Sequence, residues 1–198
     1  LEISSEALGA HSGSDLAITL TTNSELIQML RYRNGFLAFE GALHVFPLSS
    51  SKISYGLDEW NSNRLWKKAY GNLTNDLFFF AEDVFGGQFC LKTKEVYVFD
   101  PETGEIRAIA NSIDHWADII LHNYESMTGY HLAQLWQKKN GSIEGKHRLV
   151  PKKFFVVGGE FTIENLISMD AAEGMLIRGP FAQQVHSLPD GSNIELSI

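Results

Sequence analysis

The chain has 198 residues, 44% of them hydrophobic and 12% aromatic, with 24 acidic against 16 basic residues and a formal net charge of −8. That composition supports a sizeable buried core and excludes an intrinsically disordered chain. No apolar run approaches the roughly 20 residues of a membrane span, and the single cysteine, Cys90, excludes an internal disulfide framework and fits a reducing compartment.

The segment "LEISSEALGA" lacks the basic start and long apolar run of a signal peptide, so a cytoplasmic location is expected. "NSELIQMLRYRNG" predicts a helix. Asn23 or Ser24 caps it, Leu26, Ile27 and Leu30 share a face, and Asn34-Gly35 ends it in a turn. In "FLAFEGALHVFP" strand character lies in "ALHVF", closed by Pro47 and a serine cluster. "GLDEWNSNRLWKKAYG" predicts a second helix, with Leu57, Trp60, Leu65, Trp66 and Ala69 on one side and Gly71 as its stop.

Four strands follow in quick succession: "DLFFFAE", "GGQFCLK", "EVYVFD" and "EIRAIA". Short strands with close turn signals predict an antiparallel meander, without helical crossovers. In "PETG", Pro101 presets φ and Gly104 is free to take positive φ. "NSIDHWADIILHNY" then predicts an amphipathic helix capped by Asn111 or Ser112, its buried stripe Ile113, Trp116, Ala117, Ile120, Leu121 and Tyr124. "YHLAQLWQKKNG" predicts another, with Leu132, Leu135 and Trp136 inward, and "SIEGKHRLVPKK" reads as a basic connector. Beyond it come a turn at Gly158-Gly159, a short element in "ENLISMD", a helix over "FAQQVHSL" with Pro180 in its first turn, and a closing strand "NIELSI" after Asp190-Gly191. The fold class is α+β: an antiparallel meander flanked by helices.

Catalytic devices are hard to find. Glu82 and Asp83 are adjacent, and neighbours on a strand face opposite ways, so the pair does not converge for acid–base work. Strand-end and turn chemistry suits them better, with Asp83 bonding local backbone beside Gly86-Gly87. The seven histidines are scattered, with no HExxH arrangement, and no His or Cys sits at ligand spacing near the acidic pair. No GxSxG elbow, GxGxxG or GxxxxGK loop occurs, and Cys90 lies in an apolar strand without a base. Neither a catalytic residue, a metal ligand nor a cofactor is assigned.

Charge is unevenly spread. Residues 75–124 hold nine acids against three bases, 125–153 two against six, and 154–198 six against one, with 1–74 nearly balanced. This balance argues against binding a nucleic-acid backbone and permits a basic protein partner.

The order of these parts resembles the SUKH superfamily of bacterial immunity proteins and yeast cell-wall-assembly regulators. The likeness runs through "NGFLAFEGALHVFP", a Trp-containing helix, "FFFAEDVFGGQFCL", "EVYVFDPETGEI" and a helix with "IDHWADII". The tail "GGEFTIENLISMD…FAQQVHSLPDG" resembles the C-terminal extension of a subgroup associated with type VI secretion immunity. The resemblance implies a SUKH-like α+β domain over residues 1–150, with residues 151–198 as a C-terminal α/β extension packed on the same domain. It implies a cytoplasmic, non-enzymatic protein that binds and neutralises a cognate bacterial toxin by occlusion, a basic nuclease being one candidate. On that reading Glu82, Asp83, Asp100, Glu102 and Glu105 of the meander are the first candidate contacts, and Asp114 and Asp118 of the following helix the next. The basic segment 125–153 then lies away from the interface. Two other readings stand beside it: a regulatory interaction scaffold of the same fold, and a hydrolase using Glu82, Asp83 and a histidine. The partner's identity and the oligomeric state are not legible in the sequence.

Overall fold

The computed structural model describes residues 23–186, 188–189 and 191–192. Helix α1 (Ser24–Tyr32) begins as expected, with the Asn23 side chain accepting from Leu26 N at 2.9 Å. Two short strands follow, β1 (Phe36–Ala38) and β2 (Leu43–Val45), paired antiparallel. One strand was expected here; the hairpin turn takes positive φ at Phe39 and Glu40, residues that carry no left-handed signature.

The predicted helix over residues 56–71 is a correction. Only one helical turn forms, α2 (Leu57–Trp60), and a 3₁₀ segment (Lys67–Thr74) comes later. Asn61 accounts for the break. Its amide donates to Phe79 O and accepts from Phe79 N, both at 2.8 Å, and so pairs with a strand backbone.

The meander forms as read: β3 (Phe78–Asp83), β4 (Gln88–Lys92), β5 (Glu95–Phe99) and β6 (Ile106–Ala110). With β1 and β2 they make one six-stranded antiparallel sheet in the order β1-β2-β3-β4-β5-β6. Gly104 takes φ 69° in the β5–β6 turn, as predicted. The central strands read as continuous apolar runs because both faces are covered. Trp116 of α3 (Ile113–Thr128) packs edge-on against Phe80 and Phe89 on one side. On the other, Phe79 meets Trp66 and Phe99. Ser112 caps α3, Ile113, Trp116 and Ile120 are buried, and Leu121 is exposed, contrary to the predicted stripe. Helix α4 (Tyr130–Asn140) buries Ala133, while Leu135 is exposed.

The "basic connector" is a strand. Segment β7 (His147–Pro151) pairs antiparallel with β8 (Leu166–Asp170), a second small sheet, and β7 spans the 150/151 position. Helix α5 (Ala171–Val185) starts ten residues earlier than "FAQQVHSL" and carries Pro180 in its interior, beyond its first turn. Its glycines serve close approach. A Cβ on Gly174 would stand 2.7 Å from Val150, and one on Gly179 2.7 Å from Ala69. The closing strand "NIELSI" lies outside the described residues. No described helix is long and apolar enough to cross a membrane.

Candidate functional site

Three side chains stand in register across the middle of the main sheet: His44 on β2, Glu82 on β3 and Gln88 on β4. His44 Nδ1 lies 3.0 Å from Glu82 Oε1, and Gln88 Nε2 donates to Glu82 Oε2 at 3.2 Å. Ser54 Oγ, 2.8 Å from His44 Nε2, and Trp60 Nε1, donating to Gln88 Oε1 at 2.8 Å, extend the row at its two ends. Arg148 of β7 completes it as an ion pair, its Nε 2.8 Å from Glu82 Oε1. Cross-strand pairing of a kind that usually decorates a sheet surface is here buried.

Burial opposes ionisation of Glu82, but Arg148, His44 and Gln88 together outweigh it and hold the carboxyl below its ordinary range. For His44, burial lowers the pKa, the bond to Glu82 partly offsets this, and Arg148 lowers it further. The imidazole is therefore neutral near pH 7. With Glu82 ionised, Nδ1 carries the proton and donates to it, leaving Nε2 to accept from the Ser54 hydroxyl, whose single proton also has Tyr55 O within reach at 2.9 Å. The order hydroxyl, imidazole, carboxylate is the one an acyl-transfer nucleophile needs. The charges oppose that use. A triad's carboxylate must stabilise the imidazolium as it forms, whereas Glu82 is already engaged by Arg148.

Asp83 goes elsewhere. Its Oδ1 accepts from Phe85 N and Gly87 N, both at 2.8 Å, which is the turn chemistry read from the sequence. Burial pushes its pKa up to about 7, against the pull of those two amides and of Arg178. In the β5–β6 turn, Asp100 Oδ1 accepts from Glu102 N and Thr103 N at 2.7 and 3.2 Å. Glu102 is 4% exposed, accepts from Val156 N at 2.9 Å through Oε2, and is raised by burial. These three carboxylates line one cavity of about 410 Å³ together with Phe85, Phe155, Phe161 and Arg178.

So the structure gathers Asp83, Asp100 and Glu102 and sets Glu82 in a separate network. Glu105 is exposed just before β6, and Asp114 and Asp118 are exposed one turn apart on α3. Glu82 is 1% exposed, which takes its carboxylate out of reach of a partner's surface and gives it a structural role. Sequence reading missed His44, Ser54, Arg148 and Arg178. The alternation in "ALHVF" places His44 on one face with nothing to mark its partner, and the net charge of the 138–153 stretch hid the strand that delivers Arg148. Among the described residues, no group of three or more His, Cys, Asp and Glu is arranged to hold a metal ion.

The sequence model of the SMI1 / KNR4 family (SUKH-1) matches residues 20–119. The chain belongs to this family. The matched stretch holds α1, the entire six-stranded sheet and the first half of α3, so the SUKH-1 region contains the His44–Glu82–Gln88 row but neither Arg148 nor Arg178. No curated protein matches the chain. Among solved structures, the crystal structure of Atu4351 from Agrobacterium tumefaciens is similar, with a TM-score of 0.55 at 12% identity over 84% of this chain and 80% of that one. At that identity the likeness shows a shared fold. Membership of the SUKH-1 family supports an immunity or regulatory role through protein binding in general.

Proposed function

We propose that this protein is a non-enzymatic, cytoplasmic immunity protein that binds a cognate bacterial toxin and neutralises it by occlusion, with a basic nuclease as the favoured partner and a type VI secretion system as its setting. The observation that carries the reading is the SUKH-1 match over residues 20–119, a stretch whose 75–124 portion bears nine acids against three bases. Asp100, Glu105, Asp114 and Asp118 are exposed there. A rigid acidic surface competes with phosphate for a basic cleft and speeds association with it.

The test is co-expression with the product of the adjacent gene. Rescue of cell growth, and recovery of a stoichiometric complex, are expected. Normal growth of cells carrying the neighbouring gene alone, with no complex recovered, would sink the toxin reading. A complex that forms without any rescue would favour the regulatory scaffold.

A further inference from the structure

We propose that the cavity between the β3–β4 turn, the β5–β6 turn, the 155–161 loop and α5 is a binding site for an organic cation on an alkyl stem, with the lysine side chain of a protein partner as its occupant. The cavity's preference for a cation stands on geometry alone; the partner's lysine as the source rests on the protein-binding reading above.

The cavity has a volume of about 410 Å³, room for an alkylammonium chain. Its charged lining is Asp83, Asp100 and Glu102 against one cation, Arg178. That guanidinium is 1% exposed and hydrogen-bonds backbone, Nε donating to Gly174 O at 2.9 Å and Nη1 to Phe85 O at 2.7 Å, so its charge offsets Asp83 and Glu102 only in part, and both carboxyls stay raised. Glu102 is the independent pointer to a ligand. It is 96% buried, being 4% exposed; the Val156 and Phe155 amides pull on its carboxyl, yet its Oε1 is fully buried with no well-formed hydrogen bond among the described residues. A buried acceptor left unpaired is costly, and an ammonium is the donor that would satisfy it best.

The apolar lining is aromatic. Phe155 and Phe161 stack with centroids 3.9 Å apart, and Phe85 stands edge-on to both, at 5.7 and 6.4 Å. Phe161 is 63% exposed, a large apolar side chain held out at the cavity with no core function. Aromatic faces beside carboxylates favour an alkyl cation through cation–π attraction and burial of its stem. The raised pKa values of Asp83 and Glu102 are consistent with this. Negative charge in the empty cavity is disfavoured by desolvation, and a bound cation would relieve that.

The test is an amide-resolved NMR titration of the full chain with butylammonium chloride, with sodium chloride and sodium butyrate as controls. Saturable shifts are expected at Phe85, Gly87, Thr103 and Val156 with butylammonium alone. Glu102→Gln should weaken binding about tenfold or more, the worth of one charge-assisted bond, and, separately, Phe161→Ala roughly fivefold, that of one cation–π contact at a part-exposed ring. Phe161 is exposed, so its variant keeps the fold should Glu102→Gln not. Shifts that never saturate, or that sodium chloride and butyrate reproduce, overturn the site, as does unchanged affinity in Phe161→Ala and Glu102→Gln. A second arm uses blocked Gly-Lys-Gly and Gly-Leu-Gly peptides. Selective binding of the lysine peptide supports a partner side chain; butylammonium binding without it overturns that source. Neither arm depends on toxin rescue, so the two readings fail separately.

Discussion

Arg148 Nε lies 2.8 Å from Glu82 Oε1, and both side chains are 2% exposed. This pair ties the second sheet, through β7, to the centre of the main one, and it joins a residue inside the SUKH-1 match to one beyond it. Removing one member of a buried pair leaves an uncompensated charge, whereas removing both need not. Arg148→Met is therefore expected to lower unfolding stability by about 3 kcal/mol, the low end for a broken buried pair because Glu82 keeps His44 and Gln88. Adding Glu82→Gln to Arg148→Met should restore most of it. Urea denaturation decides: a loss below about 1 kcal/mol for Arg148→Met means the pair does not stabilise the joint.

Asp83 and His44 shift stability with pH in opposite senses. The folded pKa of Asp83 is about 7, above its unfolded value, so the folded state holds the extra proton between about pH 4 and 7 and this contribution is lost as pH rises through 7. His44 is lowered on folding, so the unfolded state binds the extra proton and its contribution is lost as pH falls below about 6.5. Asp83→Asn keeps an oxygen for Phe85 N and Gly87 N but does not titrate. Relative to wild type, it should gain stability as pH rises from 5 to 8, by on the order of 1 kcal/mol or more. A wild-type minus variant difference that is flat across that range would show that Asp83 is not desolvated as described.

How much of this was legible follows from which interactions are local. The meander was readable because its turns carry their own chemistry: Asp83 and Asp100 both bond the backbone of the next few residues, as their sequence context predicts. Of helix α5 only the end in "FAQQVHSL" was, since Gly174, Gly179 and Pro180 argue against a helix before it and only the contacts of Gly174 with Val150 and Gly179 with Ala69 explain the glycines. The 56–71 segment has a helical apolar stripe, yet the Asn61 side chain donates to Phe79 O as well as Leu57 O and accepts from Phe79 N, tying it to β3. The candidate site divides the same way. Each carboxylate was visible, but the Glu82 partners come from β2, β4 and β7, and the Glu102 cavity is walled by the 155–161 loop and α5.

Ser54 should behave as a structural hydroxyl. Its bond to His44 Nε2 closes the buried row, but burial and Arg148 both disfavour the imidazolium that catalysis requires. A fluorophosphonate probe is expected to leave the protein unlabelled, and Ser54→Ala to cost about 1 kcal/mol of stability. Stoichiometric labelling that Ser54→Ala abolishes would instead establish a hydrolase-type nucleophile.

The exposed acids carry the last prediction. Glu105, Asp114 and Asp118 lie in solvent, so replacing all three with lysine should leave unfolding stability within about 1 kcal/mol of wild type, most of that loss coming from a cation in the first turn of α3 at position 114. Glu25 accepts from Ile113 N at 2.8 Å, and a lysine at position 114 beside it is electrostatically tolerable. Association with a basic partner should slow at least tenfold at low salt, and the difference from wild type should shrink as ionic strength rises, because steering is screened over about 10 Å at 0.1 M. Stopped-flow association against the neighbouring gene's product measures both. A triple variant that associates as fast as wild type, with the same salt dependence, removes this surface from the interface and leaves the cavity at Glu102 as the place to look.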